Sequence, residues 1–386
     1  MKTSKIPAVC FFLLLMGAMS VFGFEIKGNA PAFQANDASI YDAVHELNTE
    51  LANAFNDVLA ELNDEVRYID TKPEKFIQAW GNSSIFSSYG ATQRAYGGYS
   101  KLAITAGSMI GFQLPASPFT VIDELENIVD LLNDEHDLKF GLNPQILNGQ
   151  IGVNTSKFLL NNLYLGFRFG YMRLDSRFSG FTFNNLSLGL IGSYQLISQK
   201  KLGGGIFIWR GLNLGTGFIY QKTNLGYKLN MDSITALSVD LSELGYDIPE
   251  LSGTVNLSID PRLSLGIDIK TFTIPLEAFT SVRLLWFLNA ALGFGVDFGF
   301  GKSDMKMNIG GDINVNVQGY ASAFVTQTRP GNISASVGGI MSPGPINPKL
   351  MAGLGIGMGP VIIDVPVTWY FLDHGYNVGI TFGVVW

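Results

Sequence analysis

The last eleven residues constrain this chain most. Residues 376–386 read Y-N-V-G-I-T-F-G-V-V-W. Tyr376, Val378, Ile380, Phe382, Val384 and Trp386 are large and apolar; Asn377, Gly379, Thr381, Gly383 and Val385 between them are mostly small or polar. A period of two is a strand's period. Soluble antiparallel sheets alternate too, but here the pattern recurs along most of the chain with glycine on the quieter face. That combination fits a closed barrel whose outer surface meets hydrocarbon.

The recurrences are explicit. Alternation runs through residues 163–172, 255–269, 291–300, 313–318 and 361–371, and from residue 99 onward strand grammar dominates. Counting such segments predicts an all-β membrane protein, a transmembrane antiparallel β-barrel of about 14 strands, with both strand termini at the periplasmic end. Composition supports this. The chain is 47% hydrophobic and only 15% charged, where a soluble domain carries about 25% charge. No apolar run beyond Gly23 is long enough for a spanning helix. A formal net charge of -7 is a poor match for nucleic acid, whose phosphates call for basic patches.

The N-terminus reads as a processing segment. Lys2 and Lys5 precede an apolar run over residues 8–19, too short to span a bilayer, and Val21-Phe22-Gly23 offers a cleavage site. Residues 1–23 are therefore expected to be a signal peptide, leaving a mature chain that starts near Phe24. Cys10 lies within it, so the mature chain has no cysteine and no disulfide or Cys-based metal or redox site.

Three segments precede or interrupt the strands. Residues 24–75 form an N-terminal segment whose residues 36–70 place Ile40, Val44, Leu47, Leu51, Phe55, Val58, Leu62, Val66 and Ile69 on one helical stripe. Such a helix needs a partner: the barrel, itself, another periplasmic protein or the lumen. Residues 79–100 are rich in Gly, Ser and aromatics with neither period, and read as irregular backbone that folds back into the barrel as a hatch, assigned to residues 76–98. The barrel then occupies residues 99–386. Residues 119–137 read as a second amphipathic helix on the outside of the cell, and residues 231–253 as a mixed acidic and apolar insertion. Both either cap the barrel mouth or collect a greasy ligand.

Chemical motifs are few. His45, His136 and His374 are far apart, and Gly353, Gly355, Gly357 and Gly359 are spaced strictly by two, which is a strand with a bare face rather than a phosphate loop. No Gly-x-Ser-x-Gly elbow is present. The expectation is a protein that is not an enzyme and holds no metal or cofactor. If the large apolar side chains face lipid, the opposite parity points Arg168, Asp260, Arg262, Asp268, Lys270, Glu277, Arg283, Asp297 and Asp364 into the lumen, where they pair with one another or line a path. Gly293, Gly295 and Gly299 bare the inner wall where a plug could approach, and Pro261, Pro275 and Pro366 mark breaks in the ladder.

Ser87-Ser88-Tyr89-Gly90 followed by Arg94-Ala95-Tyr96-Gly97-Gly98 is similar to the Ser/Gly-rich hatch of the FadL-type outer-membrane long-chain fatty acid transporter family. Asn82-Ser83-Ser84 stands where that family carries Asn-Pro-Ala, and the family does not usually have a helix ahead of its hatch. The resemblance implies a hatch site including Ser87, Tyr89, Arg94, Tyr96, Gly97 and Gly98. It also implies passive, hatch-gated passage of long-chain fatty acids or similar hydrophobic molecules, with lateral exit into the membrane. The expected partners are membrane lipids, such a ligand, and the barrel assembly machinery, which would read the C-terminal strand. The alternatives are a general diffusion porin for small polar solutes and a surface-exposed adhesin or interaction barrel.

Overall fold

The computed structural model describes residues 26–67, 73–87, 101–115, 139–156, 159–176, 180–230, 234–240, 253–319, 322 and 325–386. The expected signal peptide over residues 1–23, the expected helix over residues 119–137, and Tyr89, Arg94, Tyr96, Gly97 and Gly98 of the expected hatch lie outside them.

In chain order the strands are β1 (Ile26–Asn29), β2 (Ala32–Ala35), β3 (Leu102–Gln113), β4 (Gly141–Asn154), β5 (Leu163–Ser176), β6 (Phe181–Ile197), β7 (Lys200–Leu202) and β8 (Phe207–Asn230). They continue as β9 (Ile234–Asp240), β10 (Gly253–Leu284), β11 (Leu288–Gly319), β12 (Val325–Arg329), β13 (Gly331–Met341), β14 (Ile346–Met358), β15 (Val361–Tyr370) and β16 (Gly375–Val385). Part of the expected insertion at residues 231–253 is strand: β9 pairs antiparallel with β10 and extends the sheet.

The main sheet holds fourteen strands. The circuit that closes within it runs β3-β4-β5-β6-β8-β10-β11-β14-β15-β16 and back to β3, and β1, β7, β9 and β13 attach to its rim. Closure removes the open edges that hydrocarbon cannot satisfy. The chain is a transmembrane β-barrel, with neighbours in the ring paired antiparallel.

β10 and β11 form one hairpin paired from Gly253↔Gly319 down to Leu284↔Leu288. Only its lower part sits in the ring, where β11 pairs with β14 over residues 288–298. Its upper part stands beyond the ring, where β11 pairs with β13 over residues 303–313 and β13 with β1. From Phe272 to Leu284 a tilted strand rises roughly 30 Å, the height of a bilayer core.

Outward side chains of this lower part are apolar: Leu292 and Phe294 are 60% and 66% exposed. The terminal eleven-residue pattern behaves likewise, with Ile380 and Phe382 exposed and Asn377 and Thr381 buried. Prolines break the ladder on one side only. Pro275 pairs with Asp297 of β11 but interrupts the pairing with β8, and Pro366 pairs with Gly353 of β14 but interrupts that with β16.

Two helices accompany the barrel. The long helix, Tyr41–Arg67, buries Val44, Leu47 and Leu51, with Ile40 just ahead of it, against Phe33 and Val325 of the two-stranded β2–β12 sheet and Ile313 of β11, so its partners are that small sheet and the extension above the ring. Asn48 fixes the contact, accepting from Phe33 N and donating to Phe33 O, both at 2.8 Å. The lumen helix, Pro73–Phe86, corrects the reading of residues 79–100 as irregular from their start. A helix packed on every side has no polar stripe, so its sequence shows no 3.6-residue period.

Candidate functional site

The site is the barrel interior around the lumen helix. Its first half presents Phe76, Ile77 and Trp80, packed among Leu263, Leu265, Ile267 and Ile269 of β10 and Met305 and Met307 of β11. Its second half presents Asn82, Ser83, Ser84 and then Ser87, all buried, against a polar wall. Ser84 Oγ lies 2.8 Å from Thr271 Oγ1. Asn82 donates to Gln113 Oε1 at 3.1 Å and accepts from Gly344 N at 2.6 Å. The wall is bared where the helix comes close: a methyl group added at Gly299 would collide with Ile85, and one at Gly375 with the Phe86 ring.

The C-terminal end of the lumen helix exposes carbonyls that need donors. Arg168 Nη2 donates to Ser87 O at 2.9 Å, Gln145 Nε2 donates to the same oxygen at 3.2 Å, and Gln221 Nε2 donates to Ser87 Oγ at 3.0 Å. Asn377 Nδ2 donates to Phe86 O. A cation at a helix C-terminus also complements the helix dipole. These partners come from β4, β5, β8 and β16, so the plug end is tied to four of the ring's ten strands.

A second cluster lies beside it. Lys349 Nζ is 2.5 Å from both Glu277 Oε1 and Asp297 Oδ1, and the side chains are fully buried. Tyr370 OH donates to Asp297 Oδ2 at 2.8 Å while its ring stacks on Phe86. Buried charges survive when paired and hydrogen-bonded: Lys349 pairs with both carboxylates, and Asp297 also accepts hydrogen bonds from Lys349 and Tyr370. Lys349 was not singled out from the sequence, although Leu350, Ala352 and Leu354 face outward and so place residue 349 on the inner parity.

The expected lumen charges divide. Arg168, Glu277, Asp297 and Asp364 are buried inside the ring and Arg283 is half-buried at its lower end. Asp260, Arg262, Asp268 and Lys270 are corrections: they stand on the outer wall of the extension. Arg262 pairs there with Asp312 at 2.5 Å with both side chains more than half exposed, and Asp260 accepts from Asn314 at 2.6 Å. The reason is a reversal of polarity along one strand. From Leu263 onward the odd residues of β10 face inward, but they are apolar up to Ile269 and mostly polar from Thr271. Above the membrane the outside is water, so the apolar parity belongs to the interior. Of the hatch residues, Ser87 is the one described, and it receives the donors above.

The wall is irregular near the plug end. The β3–β4 register shifts between Gly107 and Met109, and Ser108 Oγ donates to Ile146 O at 2.6 Å. An apolar groove of about 390 Å³ opens there, between Met109, Pro144, Gln145, Ile146, Val378 and Ile380. A separate polar cleft of about 600 Å³ lies on the extension, lined by Lys27, Lys228, Arg262, Asn308, Asp312 and Asn332 among others.

A family model described as Lsa36-like matches residues 32–386. No curated protein matches the chain. Among solved structures it is similar to the translocator domain of the autotransporter NalP from Neisseria meningitidis, at 11% identity over 76% of this chain and 91% of that one, with a TM-score of 0.26. It is also similar to the P. putida toluene transporter TodX, at 10% identity over 78% and 99% with a TM-score of 0.23. The CymD monoaromatic hydrocarbon channel gives 10% identity over 78% and 94%, again with a TM-score of 0.23. Likeness at this level carries no argument about function.

Proposed function

We propose that this chain, which belongs to the Lsa36-like family, is a plugged outer-membrane barrel that passes long-chain fatty acids or similar hydrophobic molecules by passive, helix-gated diffusion. The observation that carries this reading is the apolar groove beside the plug. Met109 and Gln145 line it, and both connect to the plug end: Gln145 donates directly to Ser87 O, and Met109 Sδ accepts at 3.7 Å from Arg168, which itself donates to Ser87 O. Movement of the lumen helix would thus be felt at a lipid-facing opening. The polar inner wall below, with Asn213, Ser281, Asn289 and Thr381, disfavours a greasy solute continuing down the lumen. Lateral exit keeps it in apolar surroundings, which stabilise it by about 0.8 kcal/mol per CH₂. The role is non-catalytic.

The same polar lining favours the second reading, a porin opened by displacement of the helix. Uptake of a fluorescent long-chain fatty acid into cells lacking other carriers separates them. Ser108→Trp fills the groove and should lower uptake severalfold, while bilayer conductance of the wild type stays small. Unchanged uptake in that variant removes the lateral route, and a large steady wild-type conductance favours the porin.

A further inference from the structure

Two register-aligned rows cross the outer wall where the hairpin leaves the ring. Phe272 of β10 pairs with Tyr220 of β8 on one side and Phe300 of β11 on the other. The Tyr220 and Phe272 rings lie 5.0 Å apart. Aromatic residues in such a belt mark the level of the lipid head groups. One step farther from the membrane, Lys270 pairs with Lys222 and with Lys302, and all three lysines are exposed. Like charges directly opposed across strands are unfavourable, and among the described residues no ion pair engages any of the three. Acidic residues stand one row higher: Asp268 pairs with Asp304 and with Asn224, whose amide it engages. Nearest the membrane the charge is therefore layered, a lysine row and then an acidic row, with Lys306 standing beyond the acids opposite Gly266.

We infer that Lys222, Lys270 and Lys302 form a docking row for the phosphates of anionic lipid head groups in the adjoining leaflet. The row is continuous with the lipid-facing wall, at the depth where head-group phosphates lie. Its charge is complementary to theirs, and an anion bridging the row relieves the repulsion among the three lysines. The acids above turn the row's field toward the bilayer.

Native mass spectrometry of protein released from vesicles of mixed phosphatidylglycerol and phosphatidylcholine tests this. Wild type should retain phosphatidylglycerol in preference to phosphatidylcholine, and added salt should weaken that retention. A lysine near an anionic surface is worth about a fivefold change in binding, so Lys222→Gln, Lys270→Gln and Lys302→Gln together should lower retention by roughly a hundredfold. The triple Arg variant should keep it, as should Lys306→Gln, four residues beyond Lys302. Equal retention of both lipids, salt-insensitive retention, a triple Gln variant that keeps its lipid, or loss of equal size in Lys306→Gln would each overturn the assignment. So would displacement of the lipid by inorganic phosphate, which would assign the row to soluble anions. If the triple Gln variant fails to fold, the salt series and the Arg variant still decide.

Discussion

The lower and upper halves of the β10–β11 hairpin are one pair of strands with opposite grammar. Below the Phe272–Phe300 pair the outside is greasy, with Leu276, Leu292 and Phe294 exposed, and the inside polar, with Thr273, Glu277 and Asp297 buried. Above it the outside carries Lys302, Asp304, Lys306 and Arg262, and the inside buries Leu263, Leu265, Ile267, Met305 and Met307. The inward parity never changes; what changes is the solvent on the other side. In water the apolar parity is driven into a core, whereas in hydrocarbon it has nothing to gain by turning inward. The lumen helix mirrors the same switch, apolar through Phe76, Ile77 and Trp80 and polar from Asn82 to Ser87. It is seated across the boundary, with Ser84 on Thr271.

The largest expected effect tests how the lower interior tolerates charge. Lys349→Met leaves Glu277 and Asp297 buried without their cation, and breaking a buried ion pair in this way costs about 3–5 kcal/mol. Lys306→Met, on the wet outer wall of the upper half, should stay within about 0.5 kcal/mol. Urea unfolding of both variants in the same detergent measures the difference. Similar midpoints would mean that the two halves are not separated by their surroundings.

A smaller effect sharpens the comparison on the outer face. Phe294→Lys puts a charge against hydrocarbon and should destabilise by about 2–4 kcal/mol, depending on depth. Asn308→Lys, fourteen residues along the same strand and on the same face, should be nearly neutral because it adds a charge to a water-facing wall. Unfolding from bilayers of matched thickness reports both, and a neutral Phe294→Lys would move the membrane off the lower half.

The barrel was legible in the sequence because each strand's alternation survives on its own: residues 376–386 and 291–300 need no context to declare two faces. The four misplaced charges, Asp260, Arg262, Asp268 and Lys270, were misplaced by one assumption, that apolar parity always means lipid. The reversal was written in the chain, in the step from Ile267 and Ile269 to Thr271 and Thr273 on one parity. It coincides with the step from Asp268 and Lys270 to Phe272 and Ile274 on the other. The lumen helix was hidden for a different reason. Enclosed all round, it needs no stripe, and its Asn82-Ser83-Ser84 run looks like loop chemistry until the polar wall that receives it is known. Lys349 stayed unnoticed because its two carboxylates come from other strands, and pairing across a closed ring leaves no local trace.

The smallest expected effect concerns the rim where the two environments meet. Asp373, in the turn between β15 and β16, lies within 3.5 Å of the Asn82 amide of the lumen helix. Burial holds its carboxyl above the ordinary carboxylate range, with Lys139 and His374 pulling it partly back. The folded state therefore keeps this proton at pH values where the unfolded chain has released it. Stability at the turn is greatest below the unfolded carboxylate pKa and declines as pH rises through the raised folded one. Asp373→Asn cannot release a proton and should flatten that part of the profile while keeping an amide beside Asn82. Thermal melts of wild type and variant across the mildly acidic range read the difference in slope. Identical slopes would mean that the carboxyl is as well solvated in the folded mouth as in the unfolded chain, and would place the rim wholly on the watery side of the boundary.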